Sequence, residues 1–235
     1  MSGFGDSSMN ELMFSVLVEI KYLDFHTHKL RHFQNHEVME IVSIHPGQWM
    51  DYQFFTVGMH PWLTDSKLTR LDKIYLREQM SNPYCLAMGE MGLDKLKDPE
   101  LRVQEEILKS QLQIASDMHK PVVLHCVRAF DQLIKIKQEF PHISKWCIHG
   151  YARHVTLAKQ LISQGFYLSF MPALPDEKLM DLLSGVPKER WFLETDSMAG
   201  VNIKDVYIRA ANLMGWDPAD LTEQITENAK QFFGQ

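Results

Sequence analysis

The sequence predicts a TIM-like (β/α)8 barrel of the α/β class, and three observations lead there. The chain has 235 residues, 45% of them apolar and 23% charged, enough to bury roughly 70% of its unfolded surface in one core without disulfides. Eight short, nearly continuous apolar runs alternate with longer amphipathic stretches, the pattern of parallel strands covered by helices. No glycine-rich phosphate fingerprint follows the first run, which removes the usual reason to prefer a dinucleotide-binding sheet.

The eight runs are IKYLDF at 20–25, VMEIVSI at 38–44, FFTVGM at 54–59, CLAMGE at 85–90, PVVLHC at 121–126, KWCIHG at 145–150, GFYLSF at 165–170 and WFLETD at 191–196. About nine residues separate the second run from the third, too few for a crossover helix, so the early βα units are short and irregular. In PELRVQEEILKSQLQIASDMHK, Leu101, Ile107, Leu108, Leu112 and Ala115 recur at helical spacing, with Pro99 in the first turn. A last helix spans Pro218 to Phe233, with Asp217 as its cap. Residues 20–235 are expected to form one barrel domain, and residues 1–19 a flexible leader or a remnant of cloning and the approach to the first strand.

A net charge of −6 argues against a broad basic face for nucleic acid, leaving room for a local basic groove. Cys85, Cys126 and Cys147 are odd in number, lack CxxC spacing and lie in apolar text, so they read as free thiols in a reducing compartment. Cys126 is expected to face the helix layer as packing, and Cys147 to share the face of His149 at greater depth. The apolar patch near the start is too short for a membrane span and follows acidic residues. The expectation is a cytoplasmic protein without membrane attachment or an obligate protein partner.

Polar residues concentrate where the runs end. The first ends in Asp24, His26 and His28, the third in His60, the fourth in Glu90, the fifth in His125, the sixth in His149 and the eighth in Glu194 and Asp196. Barrel enzymes carry their chemistry at the carboxyl ends of the strands. Alternation puts His26 and His28 on one face with Asp24 a step below. Imidazole and carboxylate donors suit zinc or manganese-like ions, and His26, His28, His125, His149, Glu90 and Asp196 suffice for two ions sharing a carboxylate. A lone strand-end histidine is ordinarily structural, but six potential ligands at one rim are not ordinary. His32, His36, His45, His119, His142 and His154 fall in helical or loop text and read as structural.

LDFHTHK, VGMHPW, GEMGLD, KPVVLHC, CIHGY and FLETDS, in this order and spacing, resemble the TatD-type deoxyribonuclease family of metal-dependent hydrolases over about residues 20–235. The resemblance implies one to three divalent ions, zinc first with manganese or magnesium as alternatives, and hydrolysis of phosphoester bonds. It implies that His26, His28, Glu90 and Asp196 hold one ion and Glu90, His125 and His149 a second. Glu90 would bridge, and Asp196 would be the base toward water. His60 and Arg128 would hold substrate, with Asp24 and Glu194 behind the ligands. Three departures stand out: Arg128 falls three residues after His125 rather than two, the sixth run reads IHGYAR, and ETDSMAGVNIKDVYI passes almost directly into a helix.

The expected activity is attack of a metal-activated water on a phosphoester, with a small molecule or short DNA as substrate. The alternatives are a barrel hydrolase acting on an ester, amide or lactone, and a metal-binding barrel without catalysis.

Overall fold

A computed structural model describes residues 13–17, 19–31, 37–50, 53–63 and 67–234. Eight strands form one sheet in chain order: β1 (Tyr22–Thr27), β2 (Val38–Ile44), β3 (Phe55–Val57), β4 (Cys85–Asp94), β5 (Val122–Val127), β6 (Trp146–Tyr151), β7 (Phe166–Phe170) and β8 (Trp191–Leu193). The helices are α1 (Arg70–Met80), α2 (Leu101–Asp117), α3 (Phe130–Glu139), α4 (Val155–Ser163), α5 (Asp176–Gly185), α6 (Ile203–Met214) and α7 (Pro218–Phe233). This is the (β/α)8 order, and the described residues between β2 and β3 contain no helix. Two compact units make up the chain, residues 1–42 with 150–235 and residues 43–149.

In the first unit, Phe25 of β1 stacks on Phe192 of β8 at 4.1 Å between ring centroids, and Phe232 of α7 meets Phe192 edge-on at 5.6 Å. Burying rings of this size is among the largest single gains in a core. Polar side chains then set the register of the helices. The buried Asn228 donates to the Lys188 carbonyl at 2.7 Å and to the Trp191 carbonyl at 2.9 Å, holding α7 to β8. Tyr207 of α6 donates to the Leu23 carbonyl and accepts from the Leu23 amide, both at 3.1 Å. Residues 13–17, inside the expected leader, are helical, with Met13 and Leu17 buried. Asp217 caps α7 by accepting from the Ala219 amide at 2.8 Å, with Pro218 in the first turn.

In the second unit, all ten residues of β4 are buried, as expected of a strand covered on both faces. It runs to Asp94, four residues beyond the expected end at Glu90, because Gly92 and Asp94 continue the pairing with β5 through Gly92↔His125 and Asp94↔Val127. Pro99 stands ahead of α2 rather than in its first turn, Glu100 taking the cap position. Gln111 of α2 accepts from the Met59 amide at 2.7 Å and donates to its carbonyl at 3.1 Å, fixing the chain that leaves β3.

Gly92 has φ +155°, and a Cβ there would overlap the His125 carbonyl oxygen and stand 2.8 Å from its carbon. Gly200 also has positive φ, +75°, but nothing lies within 4 Å of its Cβ position. Gly92→Ala is expected to cost at least about 3 kcal/mol by forcing β4 and β5 apart, against about 1 kcal/mol for Gly200→Ala. Thermal melts should show Gly92→Ala lowered by about 6–12 °C, or insoluble, and Gly200→Ala nearly unchanged; equal shifts would refute the close-approach argument.

Candidate metal centre

His26 lies within β1 and His28 just beyond it, their Nε2 atoms 3.3 Å apart and their rings crossed at 88°. The pairing of β1 with β2 slips by one residue between Asp24 and Thr27, so a bulge interrupts the alternation below the pair. The segment after β8 is zipped onto β1 here. The Asp196 amide donates to the His26 carbonyl at 2.9 Å, and the Thr27 hydroxyl donates to the Asp196 carbonyl at 3.1 Å. Asp196 adopts φ +51°, a conformation in which aspartate is among the better-tolerated residues. Its Oδ1 accepts from the Ser197 amide at 2.6 Å and stands 3.5 Å from His28 Nε2.

Asp24 is fully buried, accepting from the Thr195 amide at 2.9 Å and from its hydroxyl at 2.5 Å. Burial pushes its carboxyl up to about 8, against the pull of those two bonds. Arg31 completes the arrangement. Its guanidinium donates to the Thr195 hydroxyl oxygen, to the Asp196 carbonyl at 3.1 Å and to the Met198 carbonyl at 2.9 Å. Its amide is held by both oxygens of the buried Glu40 at 3.0 Å. Glu194, also fully buried, accepts from the Gly150 amide at 2.8 Å.

The second unit gathers three imidazoles on one carboxylate oxygen. Glu90 Oε1 lies 2.7 Å from His149 Nε2, 3.0 Å from His125 Nδ1 and 3.0 Å from His60 Nε2. His60 Nδ1 accepts from the Trp62 amide at 3.1 Å, so the ring proton is assigned to Nε2 and His60 acts toward Glu90 as a donor. His125 Nε2 lies 3.3 Å from Asp94 Oδ2, which also accepts from Trp62 Nε1 at 2.8 Å. Burial alone would raise the Asp94 carboxyl, but bonds from the Leu96 amide, Trp62 and His125 together hold it below the usual range. An imidazole with one nitrogen on a carboxylate and the other turned to a ligand position is the usual backing of a metal-bound histidine.

Donors about 2.0–2.1 Å from one tetrahedral ion stand about 3.3 Å from each other. The 3.3 and 3.5 Å separations along His26, His28 and Asp196 have that spacing. Donor atoms of His26, His28 and Asp196 lie mutually within 4.8 Å, and in the second unit Glu90 Oε1 lies 3.0 Å from a nitrogen of His125 and 2.7 Å from one of His149. The donor chemistry therefore fits divalent ions in both units.

Within the first unit the structure brings together His26, His28 and Asp196, with Asp24 behind them. Within the second it brings together Glu90, His125, His149 and His60. Glu90 lies inside β4 rather than at its end, which is Asp94. Arg128 is exposed after β5 with φ +54°. His154 caps α4 by accepting from the Leu157 amide at 3.2 Å; His32 and His36 lie outside the described residues. Burial pushes the Cys126 thiol up to about 12, which suits a packing residue. Sequence reasoning missed Asp94, Trp62, Thr195 and Arg31. Asp94 follows Glu90 by four residues, but β4 slips register between Met88 and Met91, across Glu90, so simple alternation does not relate the two.

A parallel (β/α)8 barrel carrying imidazoles and carboxylates at ion-binding spacing is the build of a metal-dependent hydrolase. The chain belongs to the TatD related DNase family, which matches residues 27–234. It is 24% identical over 200 residues to the uncharacterized metal-dependent hydrolase YabD of Bacillus subtilis (strain 168), covering 78% of each chain. It is 26% identical over 216 residues to the 3'-5' ssDNA/RNA exonuclease TatD of Erwinia amylovora, covering 80% of each. The crystal structure of YJJV, a TatD homolog from Escherichia coli, superposes with a TM-score of 0.75 at 19% identity, over 92% of this chain and 98% of that one. At that identity the likeness is one of fold.

Thr195→Val keeps the shape of the side chain and removes the hydroxyl between Asp24 and Arg31. It is expected to cost about 1–3 kcal/mol of unfolding free energy. The cost of Thr195→Val combined with Arg31→Met should fall short of the sum of the single costs, because both disturb one network. Denaturant unfolding of the four proteins measures this, and strict additivity would separate the two residues.

Proposed function

We propose that the protein is a divalent-metal-dependent hydrolase of phosphoesters, acting on a short nucleic acid or a small phosphodiester. The observation that carries this reading is the spacing of the donor atoms, together with the convergence of His60, His125 and His149 on one Glu90 oxygen. His26, His28 and Asp196 would hold one ion, and Glu90, His125 and His149 another. Zinc suits these donors first, with manganese or magnesium next. Family membership and the likeness to a named exonuclease support the phosphoester.

A divalent ion, when bound, supplies Lewis acidity and lowers the pKa of a water molecule. The remaining work falls to side chains. Asp196, held by the Ser197 amide, takes the proton from the attacking water. His60, whose Nε2–H is donated to Glu90, would turn that proton toward developing negative charge only as Glu90 engages the ion, and the exposed Arg128 supplies a cation at the end of β5. Asp24 and Glu194 keep neighbouring backbone in place. Among the described residues no helix is long and apolar enough to cross a membrane. The three cysteines are free, as suits thiols in a reducing compartment.

The double variant His26→Ala/His28→Ala is expected to lose bound metal, with a fall of at least about 1000-fold in kcat/KM. Asp196→Asn should lower kcat by about 100- to 10,000-fold. Metal analysis with turnover of a panel of phosphodiesters, phosphomonoesters, lactones and DNA, each with several divalent ions, measures both. Unchanged metal content and rate in the double variant would overturn the reading. Turnover confined to lactones would move the activity to carboxylic esters, and tight metal binding without turnover would leave a binding protein.

Chelation should abolish turnover, and the native ion should restore it within the panel. Activity that survives complete metal removal would exclude the mechanism.

A further inference from the structure

A tryptophan that is half exposed and yet rigidly held is unusual on a protein surface, because large aromatics there ordinarily mark a contact. Trp62, in the 3-10 turn Pro61–Leu63 after β3, has 51% of its surface exposed. Its indole is nonetheless pinned by Nε1–H on Asp94 at 2.8 Å. Its ring packs edge-on against His60 at 4.9 Å and His125 at 5.5 Å between centroids, the two imidazoles that lie on Glu90. The ammonium of Lys97 stands 5.1 Å from the indole centroid. Lys97 is also exposed, but its backbone is fixed. The buried Gln104 donates to the carbonyls of Asp94, Lys97 and Pro99 at 2.9, 2.9 and 2.7 Å. Leu63 and Leu96, the chain neighbours of Trp62 and Lys97, are 57% and 58% exposed.

We infer that Trp62 is a specificity-determining residue, a stacking platform for a planar unsaturated ring carried on the substrate beside the phosphoester, with Lys97 taking the phosphate charge. The inference rests on the phosphoester reading of the site and adds what the rest of the substrate must be: a nucleotide or a similar aromatic ester rather than an aliphatic one. Base–aromatic stacking tolerates any base because each has a π-face. The cation–π contact that Lys97 now makes is weak at an exposed position, so an incoming ring displaces it at little cost and frees the ammonium for the anion. Asp94 ties the platform to His125, so the ring is preorganised next to the reacting groups rather than recruited from solution.

The test compares two esters with one leaving group, thymidine 5′-(4-nitrophenyl phosphate) and methyl 4-nitrophenyl phosphate, on the metal-loaded protein. The wild type should prefer the base-bearing ester in kcat/KM. Trp62→Leu should shrink that preference by about 5- to 100-fold, through KM, whereas Trp62→Phe, which keeps a ring but loses the bond to Asp94, should retain most of it. Lys97→Met should raise KM for both esters and leave the ratio in place. Because the ratio cancels damage to the metal site, an equal loss on both esters in Trp62→Leu, or no preference in the wild type, would overturn the inference. If the wild type turns over neither ester, the phosphoester reading fails, and stacking is judged by binding. Thymidine 5′-monophosphate should then quench tryptophan fluorescence in the wild type but not in Trp62→Phe, with 2-deoxyribose 5-phosphate inert. Absence of that quench would sink the platform as well.

Discussion

A carboxyl group buried in a barrel wall must be given hydrogen-bond partners or it costs several kcal/mol, and among the described residues Asp24 meets this demand through Thr195. Its two oxygens take the amide and the hydroxyl of that residue, so the chain after β8 can lie in only one register against β1. The neighbouring bonds follow from it. The Asp196 amide falls on the His26 carbonyl, its carbonyl on the Thr27 hydroxyl, and its carboxylate beside His28. The first set of donors is thus a product of how β8 closes on β1, and Arg31 fastens the closure with bonds to three residues of the same short loop. The brevity of that loop is compatible with order because the guanidinium supplies the anchors.

Asp94 does comparable work in the second unit. It satisfies the Leu96 amide, the Trp62 indole and one nitrogen of His125, and its own amide rests on the buried Gln104. One side chain therefore orients an imidazole of the Glu90 cluster, a rim tryptophan and the turn that carries Lys97. The continuation of β4 past Glu90 is what puts it there. A strand that stopped at Glu90 would leave His125 without this partner.

The strand order and most element positions were legible because hydrophobic periodicity is a local property. VMEIVSI is β2 at its expected limits, and the Asp217–Pro218 start of α7 appears as read. The apolar run stops at its first charge, which marks Glu90 as a strand end, whereas pairing continues through Gly92 to Asp94. Asp94 lies past a slip in β4 between Met88 and Met91, so its partnership with the Glu90 cluster was not readable from the period. Carrying the alternation down to Asp24 ignored the bulge in β1, which no pattern of apolar residues announces. Asp24 nevertheless backs the pair, through Thr195 rather than by direct descent along the strand face.

By itself, the sequence determined the barrel class, the order of its elements and the kinds of donor at its strands, since periodicity and ligand chemistry are written in neighbouring residues. The tertiary structure decided which atoms meet. It set the tautomer of His60 through the Trp62 amide, the partner of His125, and the clamp between Arg31 and Thr195, which are 164 residues apart. Hydrogen bonds between residues so distant in the chain leave no period behind, because their geometry exists only once the strands have paired.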